Sequence, residues 1–251
     1  MATAQAGRGV IELFDDFCGP EIPVANAVAY GTSAGGCNYY LGPFRVTGDL
    51  GETDTGVVGL SKASGYVRIS GNNEDGKGVA IGTEAVFSPA LNGTLVLETR
   101  IEMQALTTRS IFVGFGALNA DDVAEPITST TVTHTYVDTV VAGFVLDSQL
   151  TAGTVWHMPF KGGTTTAITA STSTTSGVVA VAAESDLLRI EIDPNGTARW
   201  YINGVLKQTV AGAVSTTTLL AGYVGCFGTT TTAADADIDY LLIKANRDWT
   251  R

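Results

Sequence analysis

The stretch Asp186–Gln208, DLLRIEIDPNGTARWYINGVLKQ, constrains the fold most, because strands and turns can both be read from it. Apolar and charged side chains alternate over 188–193, which is the pattern of a strand with one buried face. The DPNG sequence at 193–196 has the residues of a tight reversal, and NG at 203–204 has those of a second one. The stretch therefore predicts three consecutive antiparallel strands.

The rest of the chain repeats short strand-like segments separated by turns. Thr94–Met103 alternates like the first strand, and Ser110–Ala117 reads as a central strand buried on both faces. The 30 glycines fit many turns, and no stretch has a long helical period. About fourteen strands predict a large all-β, antiparallel β-sandwich. Further strands are expected at Tyr66–Ser70, Val79–Ile81, Thr131–Val137, Val141–Leu146, Thr154–Met158, Thr164–Thr169, Val178–Val181, Leu219–Gly228 and Ile238–Lys244.

The composition limits the classes of partner that the chain is expected to bind. Its 251 residues fit one sandwich, and only 16% of them are charged. With 25 acidic and 14 basic residues the formal charge is −11, which repels phosphate backbones and anionic lipid. We therefore expect no nucleic-acid partner and no membrane partner.

The three cysteines, Cys18, Cys37 and Cys226, are too few and too widely spaced for a disulfide framework or a zinc site. Buried reduced thiols are expected. The amino-terminal residues MATAQAGRGV lack the apolar core of a signal peptide, and no 18-residue apolar run occurs. These features predict a protein that is made and kept in a cytoplasm.

Residues 1–50 differ from the rest of the chain, because Gly and Pro interrupt nearly every segment up to Pro43. The sequence predicts an extended arm at 1–50 and the sandwich at 51–251. The arm has no core of its own, so its aromatic residues need cover from the sandwich or from a neighbouring chain. The candidate assembly contacts are Phe14, Asp15, Phe17, Tyr39 and Tyr40.

Glu191 and Asp193 place two carboxylates on one strand face, which is a spacing compatible with glycoside hydrolysis. Sandwich-fold glucanases use such alternating acids in an E-x-D-x-x-E arrangement. Here a turn sequence, Pro194-Asn195-Gly196, follows, and the third acid is missing. A solvent-exposed strand face is the better interpretation.

Alternating acids also occur near the carboxyl end, where they could offer oxygen ligands to calcium. Calcium draws six or more oxygens and often uses loop carbonyls, so a polar strand face explains the pattern more simply. A calcium site that includes Asp121 or Asp122 is the alternative. The alternating acids are Asp235, Asp237 and Asp239.

The only histidines, His134 and His157, are far apart and have no ligand-spaced neighbours, so ordinary strand histidines are expected. No G-x-S-x-G elbow and no phosphate loop occurs. The sequence thus predicts no catalytic residues, no metal site, no cofactor and no enzyme activity.

Aromatic residues in the central stretch could form a stacking platform for sugar rings. Alternation places Trp200 with Ile202 on the core side and Tyr201 on the opposite face. Trp156 could contribute if it were exposed. Tyr201 is therefore the candidate sugar contact, and a glycan is a possible partner.

The residues LLRIEIDPNGTARWYINGV resemble the strand and turn signature of concanavalin A-like jelly-roll sandwiches, and IDYLLIK is similar to their closing strand. The resemblance covers about residues 57–245. It implies the fold class but not the function, because lectins, enzymes and structural modules share this fold.

A finer resemblance is to lectin-like decoration, or cement, proteins on the capsids of tailed bacteriophages, through LETRIEM, VGFG and the RIEID to YING hairpin. It implies a symmetric homo-oligomer, with a trimer expected, that binds the outside of the virion and clamps neighbouring subunits of the major capsid protein. Such a protein is synthesised in the host cytoplasm and located on the capsid exterior. The alternative is a carbohydrate-binding lectin-like module or an adhesin on the virion surface.

Overall fold

The computed structural model describes residues 9–19, 39–48, 56–71, 74–117, 125–230 and 234–247. Within these ranges the chain forms nineteen strands, a one-turn helix at Pro89–Asn92 and a turn of 3-10 helix at Ser171–Ser173. The strands are β1 Val10–Asp15, β2 Tyr39–Leu41, β3 Phe44–Gly48, β4 Gly56–Leu60, β5 Tyr66–Gly71, β6 Gly78–Gly82, β7 Leu95–Glu102, β8 Arg109–Gly116, β9 Ile127–Thr130, β10 Thr133–Tyr136, β11 Val141–Asp147, β12 Val155–His157, β13 Phe160–Lys161, β14 Thr175–Val179, β15 Ser185–Ile192, β16 Ala198–Ile202, β17 Val205–Val210, β18 Ala221–Gly228 and β19 Ala234–Asn246.

Two antiparallel sheets contain seventeen of these described strands. The eight-stranded sheet has the order β17-β16-β15-β7-β19-β5-β4, and β1 pairs with the second half of β19. The nine-stranded sheet has the order β14-β12-β11-β8-β18-β6-β3-β2, and β13 pairs with β11. The remaining two strands, β9 and β10, form a two-stranded sheet of their own.

One apolar core lies between the two main sheets. Alternate residues of β15 and β16 enter it from the eight-stranded sheet, and alternate residues of β8 and β11 enter it from the nine-stranded sheet. Trp200 on β16 donates its indole N–H to the carbonyl of Gly143 on β11 at 2.9 Å. Trp156 on β12 donates its N–H to Asp186 Oδ2 on β15, also at 2.9 Å. Each tryptophan thus has its hydrogen-bond acceptor on the opposite sheet.

The predicted three-stranded stretch is confirmed, since β15 pairs with β16 and β16 pairs with β17. In the first turn Gly196 N–H donates to the Asp193 carbonyl at 2.9 Å, and of the turn residues Gly196 alone has a positive φ, of 77°. In the second turn Asn203 and Gly204 have φ values of 52° and 78°. Two positive values define the type I′ turn that the twist of adjacent strands favours.

Two predicted strands differ in the structure. The segment Thr131–Val137 is interrupted at Thr131, where φ is 54° and the chain reverses between β9 and β10. Thr164–Thr169 forms no strand, because the preceding Gly163 lies against the backbone of residues 212–214 and Thr165 N–H donates to the Gly212 carbonyl. The prediction for Ser110–Ala117 is confirmed: β8 lies centrally and is buried throughout.

The described parts of residues 1–50 do not form an arm. Val10–Asp15 pairs residue by residue with β19, from Val10 opposite Asn246 to Asp15 opposite Leu241. β2 and β3 continue the nine-stranded sheet beyond β6. Open sheet edges provide the cover that this segment lacks on its own. The rest of the predicted arm lies outside the described residues.

Two cysteine predictions have different outcomes. Cys226 is a buried free thiol whose pKa is raised to about 12 by burial, whereas Cys18 is free and exposed. The prediction for Cys37 lies outside the described residues. In the described ranges, no helix combines the length and apolarity needed to cross a lipid bilayer.

Candidate functional site

The outer face of the nine-stranded sheet is covered. Phe112, Val145, Tyr223 and Phe227 on this face pack with Ile127 of the β9–β10 hairpin in a second apolar cluster, and each is at most 4% exposed. This part of the face offers no open surface to a ligand.

The outer face of the eight-stranded sheet is solvent-accessible, and its cross-strand register forms one row of side chains. Tyr201 lies opposite Arg189, which lies opposite Glu98. Glu98 lies opposite Leu242, and Leu242 lies opposite Phe14. Directly opposed residues share a face at a Cβ separation of about 5 Å. All five side chains are half-buried, and we call them the outer row.

Hydrogen bonds connect the outer row through its charged members. Arg189 donates from Nη1 to Glu98 Oε2 at 3.0 Å and from Nε to Glu191 Oε1 at 2.8 Å. Tyr240 donates its hydroxyl to the other oxygen of Glu98 at 2.8 Å, and Tyr201 donates to Glu191 Oε2 at 3.4 Å. The two tyrosines are therefore held at opposite ends of one carboxylate–guanidinium network.

The network raises the pKa values of its two phenols and of its guanidinium group. Burial raises the pKa of the Tyr240 phenol, and the hydrogen bond to Glu98 adds to the effect. Burial and the nearby Glu191 carboxylate raise the pKa of Tyr201. Both phenols therefore carry their protons and act as donors at neutral pH. Burial lowers the pKa of Arg189, but its two carboxylate partners outweigh this and the net direction is upward.

Aromatic and aliphatic surface flanks the network at both ends. Phe14 packs against Tyr240 with ring centroids 6.0 Å apart. At the other end Leu206 lies opposite Tyr201 and is 49% exposed. The face thus combines apolar surface with carboxylate acceptors and phenol donors, which is the mixture that polar ring-shaped ligands require.

The structure separates the predicted assembly contacts. Phe14 lies on the open face, but Asp15 is buried and its Oδ1 accepts the backbone N–H of Phe17 at 2.8 Å. Phe17 itself is only 4% exposed and belongs to the core, so Asp15 and Phe17 do not offer an assembly surface. Tyr40 is 65% exposed on β2, whereas the side chain of Tyr39 lies outside the described residues.

The acids considered for catalysis or calcium binding are paired with cations. Glu191 binds Arg189, and Asp193 binds Arg199 Nη2 at 2.6 Å. In the described residues, no group of three or more His, Cys, Asp or Glu could hold a metal ion, and Asp121 and Asp122 lie outside those residues. The three alternating acids near the carboxyl end pair with arginines: Asp235 with Arg68 and Arg109, Asp237 with Arg68, and Asp239 with Arg100.

The histidines form a cluster that their sequence spacing did not predict. The ring centroids of His134 and His157 are 5.4 Å apart, and both residues are buried. Thr174 Oγ1 lies 3.0 Å from His134 Nε2 and 3.2 Å from His157 Nδ1. Burial lowers both pKa values, and the neighbouring ring contributes to the lowering of the His134 pKa to about 4. The 3-10 turn at Ser171–Ser173, which brings Thr174 between the rings, has no clear signal in the sequence.

Comparison with known proteins gives the fold. No protein-family model matches the chain, and no curated protein matches it. Among solved structures, a protein of unknown function from Shewanella oneidensis MR-1 matches with a TM-score of 0.57 and 13% identity, over 100% of this chain and 92% of that one. Peanut lectin matches at 0.54 and 12%, over 94% and 97%. Bacillus licheniformis β-glucanase matches at 0.51 and 10%, over 92% and 97%.

The chain has the concanavalin A-like jelly-roll fold. The predicted fold class, an antiparallel β-sandwich of this type, is thereby confirmed. A lectin and a glucanase share the fold, which is therefore compatible with sugar binding and with catalysis. At these identities the likeness concerns the fold alone.

Proposed function

We propose that this protein is a non-catalytic carbohydrate-binding module that uses the open face of its eight-stranded sheet. One observation carries the proposal. Tyr201 and Tyr240 lie at the two ends of the Glu98–Arg189–Glu191 network on a solvent-accessible face. The similarity of the fold to peanut lectin fits this function.

The face can recognise a glycan through two kinds of contact. Tyrosine rings pack against the apolar faces of sugar rings, and carboxylate oxygens accept hydrogen bonds from sugar hydroxyls. Because Arg189 fixes Glu98 and Glu191 in advance, little side-chain freedom is lost on binding. Several copies on one particle would add avidity to a modest single-site affinity.

The same network disfavours hydrolysis. Glycosidases need one carboxyl group that is protonated and able to donate, and a second that is free to attack or to activate water. On this face Arg189 binds both Glu98 and Glu191, so neither carboxyl group is free to attack or to activate water. The acids that catalysis would require, Glu98 and Glu191, are therefore held in their ion pairs with Arg189.

A glycan array followed by calorimetry on the best ligand tests the proposal. Tyr201→Ala is expected to weaken binding by about tenfold or more, as loss of a central aromatic contact does. Tyr201→Phe retains the ring and is expected to lose less. Tyr40→Ala, an exposed tyrosine on the other sheet, is the matched control. Equal affinity of Tyr201→Ala and the parent protein would contradict the assigned face.

A second candidate function is that of an exterior virion protein which binds a phage capsid as a symmetric oligomer and clamps neighbouring major capsid subunits. The observation that favours it is Tyr40, which is 65% exposed on the last strand of the nine-stranded sheet. Exposed aromatic residues are frequent anchors of protein interfaces.

Quantitative mass spectrometry on purified particles tests this second candidate. A fixed ratio to the major capsid protein is expected, and Tyr40→Ala is expected to lower occupancy while Tyr201→Ala leaves it unchanged. Absence from particles would remove the candidate without affecting the proposed glycan site.

A further inference from the structure

The β9–β10 hairpin lies over the outer face of the nine-stranded sheet. We call residues 127–136 the lid. Ile127 and Tyr136, at the two ends of the lid, pack on the cluster that includes Phe112 and Tyr223. In the described strands β9 and β10 form a ladder only with each other. Two isolated β-bridges, Thr131 with Leu150 and Thr133 with Ala170, and the backbone hydrogen bonds around them connect the lid to the neighbouring loops.

Two buried carboxyl groups lie at the base of the lid. Glu125 lies two residues before the lid in the chain and is 4% exposed, and Asp147 at the end of β11 is 0% exposed. Glu125 Oε1 and Asp147 Oδ2 are buried without a hydrogen-bond partner. Among the described residues, no Lys or Arg forms an ion pair with either group.

Hydrogen bonds connect the lid to the elements beneath it. Gln149 N–H donates to Asp147 Oδ1 at 2.9 Å. Ser129 of the lid forms a hydrogen bond that stabilises the ionised form of Asp147, and its Oγ lies 3.1 Å from His134 Nδ1. Thr174 connects His134 to His157 through hydrogen bonds to both rings. Any change of charge at Asp147 or Glu125 therefore acts on the lid.

Two ionised carboxylates cannot share such a site, because burial without a countercharge costs several kcal/mol per ion. We propose that Glu125 and Asp147 hold a proton that keeps the lid closed, and that ionisation of Glu125 opens the lid and exposes the apolar outer face of the nine-stranded sheet. Opening admits water to both carboxylates.

The direction of the pH dependence follows from the pKa values. Burial, and then the Asp147 carboxylate, raise the pKa of Glu125 well above its ordinary value. Burial raises the pKa of Asp147 to about 6. A group whose pKa is higher in the closed state stabilises that state at low pH, and the stabilisation is lost as the pH rises through that pKa. The lid is therefore most firmly closed in acid, and it opens more readily as the pH rises.

Other titratable groups near the lid leave this direction unchanged above pH 6.5. His134 and His157 are neutral there, because burial lowers both pKa values. The Asp75 carboxylate raises the pKa of Glu125 and of Asp147, which acts in the same direction. Burial raises the pKa of Tyr136 to about 12. At the far end Lys161 donates to the Asp138 carbonyl at 3.1 Å.

Hydrogen exchange of the lid measured by mass spectrometry between pH 6.5 and 9 tests the proposal, after correction for the intrinsic pH dependence of exchange. The opening constant of residues 127–136 is expected to rise by up to about tenfold per pH unit until Glu125 ionises in the closed state. Glu125→Gln, which cannot ionise, is expected to remove this rise. Glu184→Gln, on an exposed loop away from the lid, is the matched control.

Infrared spectroscopy provides a second readout if the Glu125→Gln chain fails to fold. The folded parent protein at pH 6.5 is expected to show the band of a protonated buried carboxyl group, and the band is expected to disappear as the lid opens. A lid whose corrected exchange is independent of pH, or the lack of this band at pH 6.5, would overturn the proposal.

Discussion

The outer faces of the two sheets accommodate their ionisable side chains in opposite ways. On the eight-stranded sheet, ionisable side chains such as Glu98 and Arg189 stay near water and neutralise one another. On the nine-stranded sheet, apolar residues such as Phe227 are buried under a hairpin, and the acids Glu125 and Asp147 are buried with them without a cation. The acids of the open face have cation partners, whereas those of the covered face do not, and the proposed closure of that face depends on a proton instead.

The largest expected difference between the faces comes from truncating one phenylalanine on each. Phe227 is fully buried, so Phe227→Ala is expected to lower the free energy of unfolding by about 3–5 kcal/mol. Phe14 is half-buried and packs on Tyr240, so Phe14→Ala is expected to cost only about 1 kcal/mol. Urea denaturation measures both, and equal losses would show that the two faces are equally closed.

The second prediction compares one acid from each face at pH 8. Glu125→Gln is expected to raise the free energy of unfolding by about 1–2 kcal/mol, because it removes a buried acid whose ionised form has no cation partner. Glu98→Gln is expected to lower it by about 1 kcal/mol, because bonds from Arg189 and Tyr240 weaken. Opposite signs in thermal or urea unfolding would support the comparison, and the same sign would contradict it.

A third prediction concerns the stability of the covered face at acid pH. His134→Asn loses hydrogen bonds to Ser129 and Thr174 and is expected to cost about 1–2 kcal/mol at pH 7.5. The pKa of His134 is lowered to about 4, so its contribution is complete above pH 6.5 and is lost as the pH falls towards 4. Urea unfolding at pH 7.5, 5.5 and 4.5 should therefore show a shrinking difference. A difference that grows in acid would show that the histidine is protonated in the folded state.

The smallest effect is expected at a half-buried ion pair on the open face. Arg199 binds Asp193 at 2.6 Å, and Arg199→Ala is expected to lower the free energy of unfolding by no more than about 0.5 kcal/mol. The loss should disappear in 1 M salt, where charges are screened within about 3 Å. Unfolding at low and high salt measures it. A larger loss that survives salt would mean that the arginine stem, rather than its charge, stabilises the sheet.

Local patterns predicted much of the fold. Alternation placed Leu188, Ile190 and Ile192 in the core, and the NG turn at 203–204 was correctly identified, because both depend on neighbours in sequence. The prediction of an extended arm was wrong for β1. The strand with which β1 pairs, β19, lies more than 200 residues away in the chain, and periodicity carries no information about such pairings.

Less of the candidate sites could be predicted, for the same reason. Alternation placed Tyr201 on the outer face, but its link to Tyr240 passes through two other strands, β15 and β7. The approach of Glu125 to Asp147 depends on the path of a loop, and the contact of His134 with His157 depends on a 3-10 turn. Sequence spacing treats each of these groups as isolated.

The reciprocal tryptophan bonds also bear on how the molecule resists force. Trp200 reaches from the eight-stranded sheet to Gly143, and Trp156 reaches back from the nine-stranded sheet to Asp186. Sliding of one sheet over the other must break both bonds and draw both indole rings out of register. Under a shearing load the two sheets are therefore expected to separate in a single step rather than to slide gradually.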